Sequence, residues 1–170
     1  EAVDTVANAI DTIAHGDKNA MEALMYALVL SGLAMQMIGN SRPASGAEHH
    51  VSHLWEMEVI NREVDALHGE KVGIGLVLAC DTYHSLLQYD AIAPCYNGME
   101  EALIREKFGA RAEGIFKENG RDPILDIDLS HLKEVFPQIK DLIRPLPTGE
   151  EMAAMIRKVG GPTTPEEIGL

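Results

Sequence analysis

The sequence predicts an all-α, multi-helical domain, and three observations carry that reading. Apolar residues recur at three- and four-residue steps along most of the chain. Alternation of apolar and polar residues never persists beyond about four positions, so strand signals are nearly absent. Gly, Pro, Asp and Asn fall between the helical stretches, where caps and turns are expected.

Each element follows from its own residues. Val3, Val6, Ile10 and Ile13 mark a first helical stretch that ends at Gly16. Asp17 is placed to cap a second helix, apolar almost all round as a central helix should be, that stops near Gly39-Asn40. The other helices are expected to pack around this 20–38 core. Residues 41–46 form a polar loop in which Ser41 or Ser45 could cap a histidine-bearing helix. After a link that is polar around Asn61-Arg62-Glu63, "HGEKVGIGLVLACDTYHSLLQY" begins a further long helix from His68. Gly73 and Gly75 allow close backbone approach there, and Pro94 closes the helix. Shorter helices are read over 98–108, 110–118, 129–143 and 149–158, with Asp128 or Ser130 capping the third.

The totals narrow the functional classes. A chain of 170 residues can bury one proper core, so a single domain over 1–170 is expected. A net charge of −13 with scattered Lys and Arg disfavours nucleic acid and anionic membrane as partners. The apolar stretch 23–38 is short for a bilayer span and is interrupted by Ser31-Gly32, so it reads as a buried helix rather than a membrane segment. Cys80 and Cys95 form neither a disulfide framework nor a metal-type pair, which suits a reduced, cytoplasmic setting. No G-x-G-x-x-G follows a strand, so no nucleotide-binding unit is visible.

Chemistry concentrates in "EHHVSHLWEM" and the "LHGEKVGIG" that follows. His49 and His53 are four apart and share a helix face, whereas His50 points about 100° away. Two imidazoles from one helix and His68 from the next can converge on one cation, because neutral imidazole suits Zn, Ni or Fe. A histidine taken alone is more often a surface or capping residue, so spacing leaves both readings open.

The surrounding letters are more specific. "SGLAMQMIGNSRPASGAEHHVSHLWEM" followed by "LHGEKVGIG" resembles the C-terminal helical domain of the sn-glycerol-1-phosphate dehydrogenase family. That family lies within the group of iron-type alcohol dehydrogenases, glycerol dehydrogenase and 3-dehydroquinate synthase. The likeness is strongest over 30–76 and continues more weakly through "PTGEEMAAMIRKVGGPTTPEEIGL". S-R-P-A-S-G-x-E-H-H is specific for the glycerol-1-phosphate branch, while H-x-x-x-H followed by H-G is shared by the group.

The resemblance implies a role for each matching residue. His49 and His68 would ligate a divalent metal, zinc or nickel, and His53 would relay a proton or position the substrate hydroxyl. His50 competes with His49 through a one-residue slip, and the four-residue step to His53 favours His49. Arg42, seven before His49, would hold the substrate or its phosphate through a guanidinium fork; its plain alternative is a surface arginine after a helix end. Glu48 and Glu56 would stand beside the ligands or in solvent rather than on the metal, and Trp55 and Met57 would be core.

By the same resemblance, a third ligand, an aspartate, and the NAD(P)H-binding domain belong outside this chain. Asp4, Asp11 and Asp17 lack the family's Gly-Asp setting, and an opening Glu in place of Met reads as an internal piece, inactive by itself. The intact enzyme would pass hydride from a reduced nicotinamide to dihydroxyacetone phosphate, giving sn-glycerol 1-phosphate for phospholipid biosynthesis. The metal would polarise the ketone, and His53 or a water would deliver the proton. A dehydroquinate synthase-type lyase is disfavoured because "SRPASGAEHH" is not its usual approach sequence. An inactive helical interaction module is the other alternative. Metal, coenzyme choice and assembly into a homo-oligomer stay open.

Overall fold

The structure, a computed structural model, describes residues 2–57, 64–120 and 122–170. The link around Asn61-Arg62-Glu63 lies outside the described residues. Among the described residues the chain forms helices and turns and no strand, as the periodicity predicts. In order these are α1 (Ala2–Asn8), α2 (Ile10–Ala14), α3 (Lys18–Ile38), α4 (Ala47–Trp55) and α5 (His68–Ser85). There follow α6 (Glu101–Phe108), α7 (Ala112–Glu118), α8 (Leu129–Ile143) and α9 (Gly149–Lys158).

Capping sets several boundaries. The Asp17 carboxylate accepts the Ala20 N–H at 3.0 Å and starts α3, and Gly39, at φ 75°, ends it in the left-handed region that glycine reaches without strain. Asp128 accepts the Ser130 and His131 N–H groups at the start of α8. Thr148 and Glu151 exchange side chain-to-backbone bonds at the start of α9, a reciprocal box that satisfies two N–H groups otherwise left without partners. The start of α4 departs from expectation. Neither serine caps it; Glu48 reaches back instead, and its Oε1 accepts the Gly46 N–H at 2.7 Å.

The core is organised around α5 rather than around residues 20–38. Ile74 of α5 is fully buried, and Val77 and Cys80 lie one and two turns further on. α4 packs on one side of α5 and α9 on another. By contrast α3 buries only Ala20 and Ala27, while Met25, Leu28, Val29, Leu33, Met37 and Ile38 are exposed. A helix that is apolar all round needs neighbours on every side. Its chief neighbours here are α1 and α2, of seven and five residues, which cannot cover 21. An apolar recess of about 420 Å³, lined from α1, α3, α5 and α9 by Val6, Leu24, Leu76 and Met152 among others, further separates α3 from the core. By length and composition alone, α3 is long and apolar enough to cross a membrane, with mean hydropathy 1.5.

α5 also ends earlier than the sequence suggests. It stops at Ser85 with one 3-10 turn over Leu86–Gln88, and Tyr89 is already extended, well before Pro94. Long-range bonds take over at this point. His84 Nε2 lies 2.9 Å from the Leu146 carbonyl, and Lys140 Nζ donates to the Tyr89 carbonyl at 2.7 Å.

The close approach that Gly73 and Gly75 allow is realised at one of them. A Cβ on Gly75 would stand 2.6 Å from the Glu48 carbonyl oxygen, so α4 rests directly on the α5 backbone. At Gly73 an added Cβ would meet Ile156 Cδ1 at 3.6 Å, an ordinary contact. Gly75→Ala is therefore expected to destabilise the fold by about 1–3 kcal/mol through overpacking. Gly73→Ala is expected to be neutral or to stabilise by about 0.5–1 kcal/mol through helix propensity. Denaturation midpoints of the two variants check the pair.

Candidate metal centre

The α4–α5 contact brings together the histidines that the spacing singles out. Ring centroids of His49 and His68 are 5.4 Å apart, those of His53 and His68 5.4 Å, and those of His49 and His53 6.2 Å. The four-residue step puts His49 and His53 on one face of α4, and His68 opens α5 opposite them. His50 is exposed, and the ring contacts join the other three.

Carboxylates stand behind these rings. His49 Nδ1 lies 2.8 Å from Glu48 Oε1, His53 Nδ1 3.2 Å from Glu56 Oε2, and His68 Nδ1 2.9 Å from Glu56 Oε1. The fully buried Ser52 approaches His68 Nδ1 with its hydroxyl at 3.4 Å, a weak contact. Lys71, one turn beyond His68 and buried, puts Nζ 3.5 Å from Glu56 Oε1. The hydrogen bond with His68, with help from His53 and the charges of His68 and Lys71, holds the Glu56 carboxyl down to about 2. At Glu48 burial pushes upward, but the Gly46 N–H and the His49 ring outweigh it, and the carboxyl stays below its ordinary value. Glu48 and Glu56 thus stand beside the histidines. Trp55 and Met57, expected as core, are half-buried.

The donor set, imidazoles with carboxylates, is of a kind that can hold a divalent cation. The three imidazoles lie near one another, and each has a carboxylate at Nδ1, which leaves Nε2 as the nitrogen available to a cation. Among the described residues, the ligand atoms that lie within 4.8 Å of one another are those of His53, Glu56 and His68; His49 is not in that set. Two of the three early aspartates are committed elsewhere. Asp17 caps α3, and Asp11 pairs with Lys158 at 2.6 Å. Arg42 stands exposed in the loop leading into α4, where its N–H donates to Asn40 Oδ1 at 3.0 Å. Lys71 is the member of the cluster that sequence reasoning missed. Its signal was the one-turn step from His68 in "HGEK".

Comparison with known proteins agrees with the residues. Glycerol-1-phosphate dehydrogenase (NAD(P)+) of Geobacillus stearothermophilus is 32% identical over 171 residues, covering 100% of this chain and 37% of that protein. The protein of the same name from Bacillus subtilis (strain 168) is 34% identical over 161 residues, covering 94% and 32%. The chain is a relative of the glycerol-1-phosphate dehydrogenases. A shorter match, 46% identical over 63 residues, joins it to the Pyrococcus furiosus glycerol-1-phosphate dehydrogenase and covers 37% of this chain and 17% of that one. The chain spans about a third of the length of the glycerol-1-phosphate dehydrogenases that it matches along most or all of its length. No family model matches the chain, and no solved structure does.

Proposed function

We propose that this chain is the metal- and substrate-binding part of an NAD(P)-dependent sn-glycerol-1-phosphate dehydrogenase. The observation that carries the reading is the convergence of His49, His53 and His68 at the α4–α5 contact, in a chain related throughout to proteins of that name. His49 and His68 hold zinc or nickel, and His53 exchanges the proton of the substrate hydroxyl. Arg42 grips the phosphate. A bound ion supplies Lewis acidity to the carbonyl of dihydroxyacetone phosphate. The nicotinamide comes from the remainder of the longer protein, as does a further carboxylate ligand. The product supplies the backbone of a phospholipid, and two cysteines outside any disulfide, Cys80 buried and Cys95 exposed, suit a cytoplasmic setting.

One observation favours a variant of this assignment. His53 stands as near to His68 as His49 does, so it can serve as a ligand in place of His49. Metal content of purified full-length variants separates the two. His49→Ala and His68→Ala are expected to lose the metal, and His50→Ala to keep it. His53→Ala is expected to keep the metal and lose about 10²–10⁴ in rate, as for a general acid–base group. Retention in His49→Ala with loss in His50→Ala would shift the register by one. Retention in all of them would remove the cluster from the site.

Because only neutral imidazole binds metal, protons compete as pH falls. Metal affinity is expected to fall as pH is lowered. Metal titrations at a series of pH values check this, and affinity independent of pH would argue against imidazole ligands.

Arg42→Ala is expected to raise KM for dihydroxyacetone phosphate about ten- to a hundredfold, matching a lost charge-assisted contact of roughly 1.5–3 kcal/mol. KM for unphosphorylated dihydroxyacetone should move far less. Equal shifts on both substrates would make Arg42 a structural residue.

A further inference from the structure

We infer that Glu56 is a positioning residue shared between two imidazoles, fixing which nitrogen of His53 and of His68 is free for chemistry. The inference rests on the metal reading above and assigns the roles inside that cluster. One carboxylate oxygen, Oε2, faces His53 Nδ1 at 3.2 Å, and the other, Oε1, faces His68 Nδ1 at 2.9 Å. An ionised carboxylate is an acceptor only, so each Nδ1 facing it must carry the hydrogen. A neutral imidazole has one N–H. With that hydrogen on Nδ1, Nε2 of both rings is left as a lone pair.

The consequences differ between the two rings. At His68 the free Nε2 is the nitrogen that meets the cation, the carboxylate–histidine–metal relation that orients a ligand and strengthens its basicity. At His53 the free Nε2 is the one that takes up or returns a proton, while the carboxylate behind Nδ1 holds the ring and stabilises its charged form. Glu48 stands to His49 as Glu56 stands to His68, with Oε1 2.8 Å from Nδ1.

Lys71 secures the acid. Glu56 is the residue that ends α4, and Lys71 is buried on α5, so the 3.5 Å ion pair joins the two helices directly behind the rings. A carboxylate anchored on that side keeps its two oxygens spread between the imidazoles. Sitting on the metal would require Glu56 to leave the Nδ1 hydrogens, and both rings would be free to take the other tautomer.

The experiment reads the ring nitrogens of isotope-labelled histidine by NMR in metal-free protein at about pH 8, above the histidine range. His53 and His68 are both expected to carry hydrogen on Nδ1; hydrogen on Nε2 in either ring overturns the inference. Glu56→Gln offers one accepting oxygen and one donating NH₂, so one of the two rings should switch tautomer while helicity is retained. Two unchanged rings in a folded Glu56→Gln protein would also overturn it. Zinc alone is then added to the native protein. A change at Nε2 of His68 supports the assignment, and a change at its Nδ1, with release of Glu56 to the ion, refutes it. Zinc affinity in Glu56→Gln should fall about 10–100-fold. Failure of zinc to bind at all would count against the metal reading and leave the tautomer result standing on its own.

Discussion

Everything at the cluster depends on how closely α4 can lie against α5. Gly75 has no side chain where a Cβ would stand 2.6 Å from the Glu48 carbonyl, so the two backbones meet there. Glu48 directly precedes His49, and the fully buried Ser52 on the same helix directly precedes His53. The contact therefore fixes the height and rotation of α4 at the level of its histidines. His68, on the facing helix, is the first residue of α5, and its ring reaches the α4 face because the helices touch. A wider spacing would leave three separate surface histidines.

The charge pattern around the rings follows from that proximity. A protein with net charge −13 has acids to spare, and among the described residues two of them, Glu48 and Glu56, sit behind the imidazoles within hydrogen-bonding distance of Nδ1 atoms. Those acids are held ionised by different means. At Glu48 the Gly46 N–H contributes, so the helix start and the His49 partner are the same carboxylate. At Glu56 two rings and the buried Lys71 share the work, and the hydrogen bond with His68 dominates. Structure and chemistry are coupled at both sites, because a change to either acid alters a helix terminus or helix–helix ion pair as well as a ring.

What could be read from the sequence was local. α8 and α9 run over the expected residues because Asp128 and Thr148 act on N–H groups two or three positions away. The histidine pair was legible for the same reason, a four-residue step on one helix, and the S-R-P-A-S-G-x-E-H-H block gave the family that the relatives bear out. What escaped was non-local. The link from Glu56 to His68 spans twelve residues, and Lys71 stands one turn further. α5 ends at Ser85, well before Pro94, where His84 Nε2 meets the Leu146 carbonyl and Lys140 donates to the Tyr89 carbonyl. The place of α3 was misjudged because all-round apolarity shows that a helix wants neighbours without saying which. In this chain, about a third the length of its relatives, much of α3 has none among the described residues.

The most direct test of the account is the position of a metal ion in a crystal structure of the full-length protein grown with zinc. The account predicts zinc about 2.0–2.1 Å from Nε2 of both His49 and His68, with Glu56 still spanning the Nδ1 atoms of His53 and His68. Zinc bound through His50, or through Glu56 with the His68 ring turned away, would contradict it.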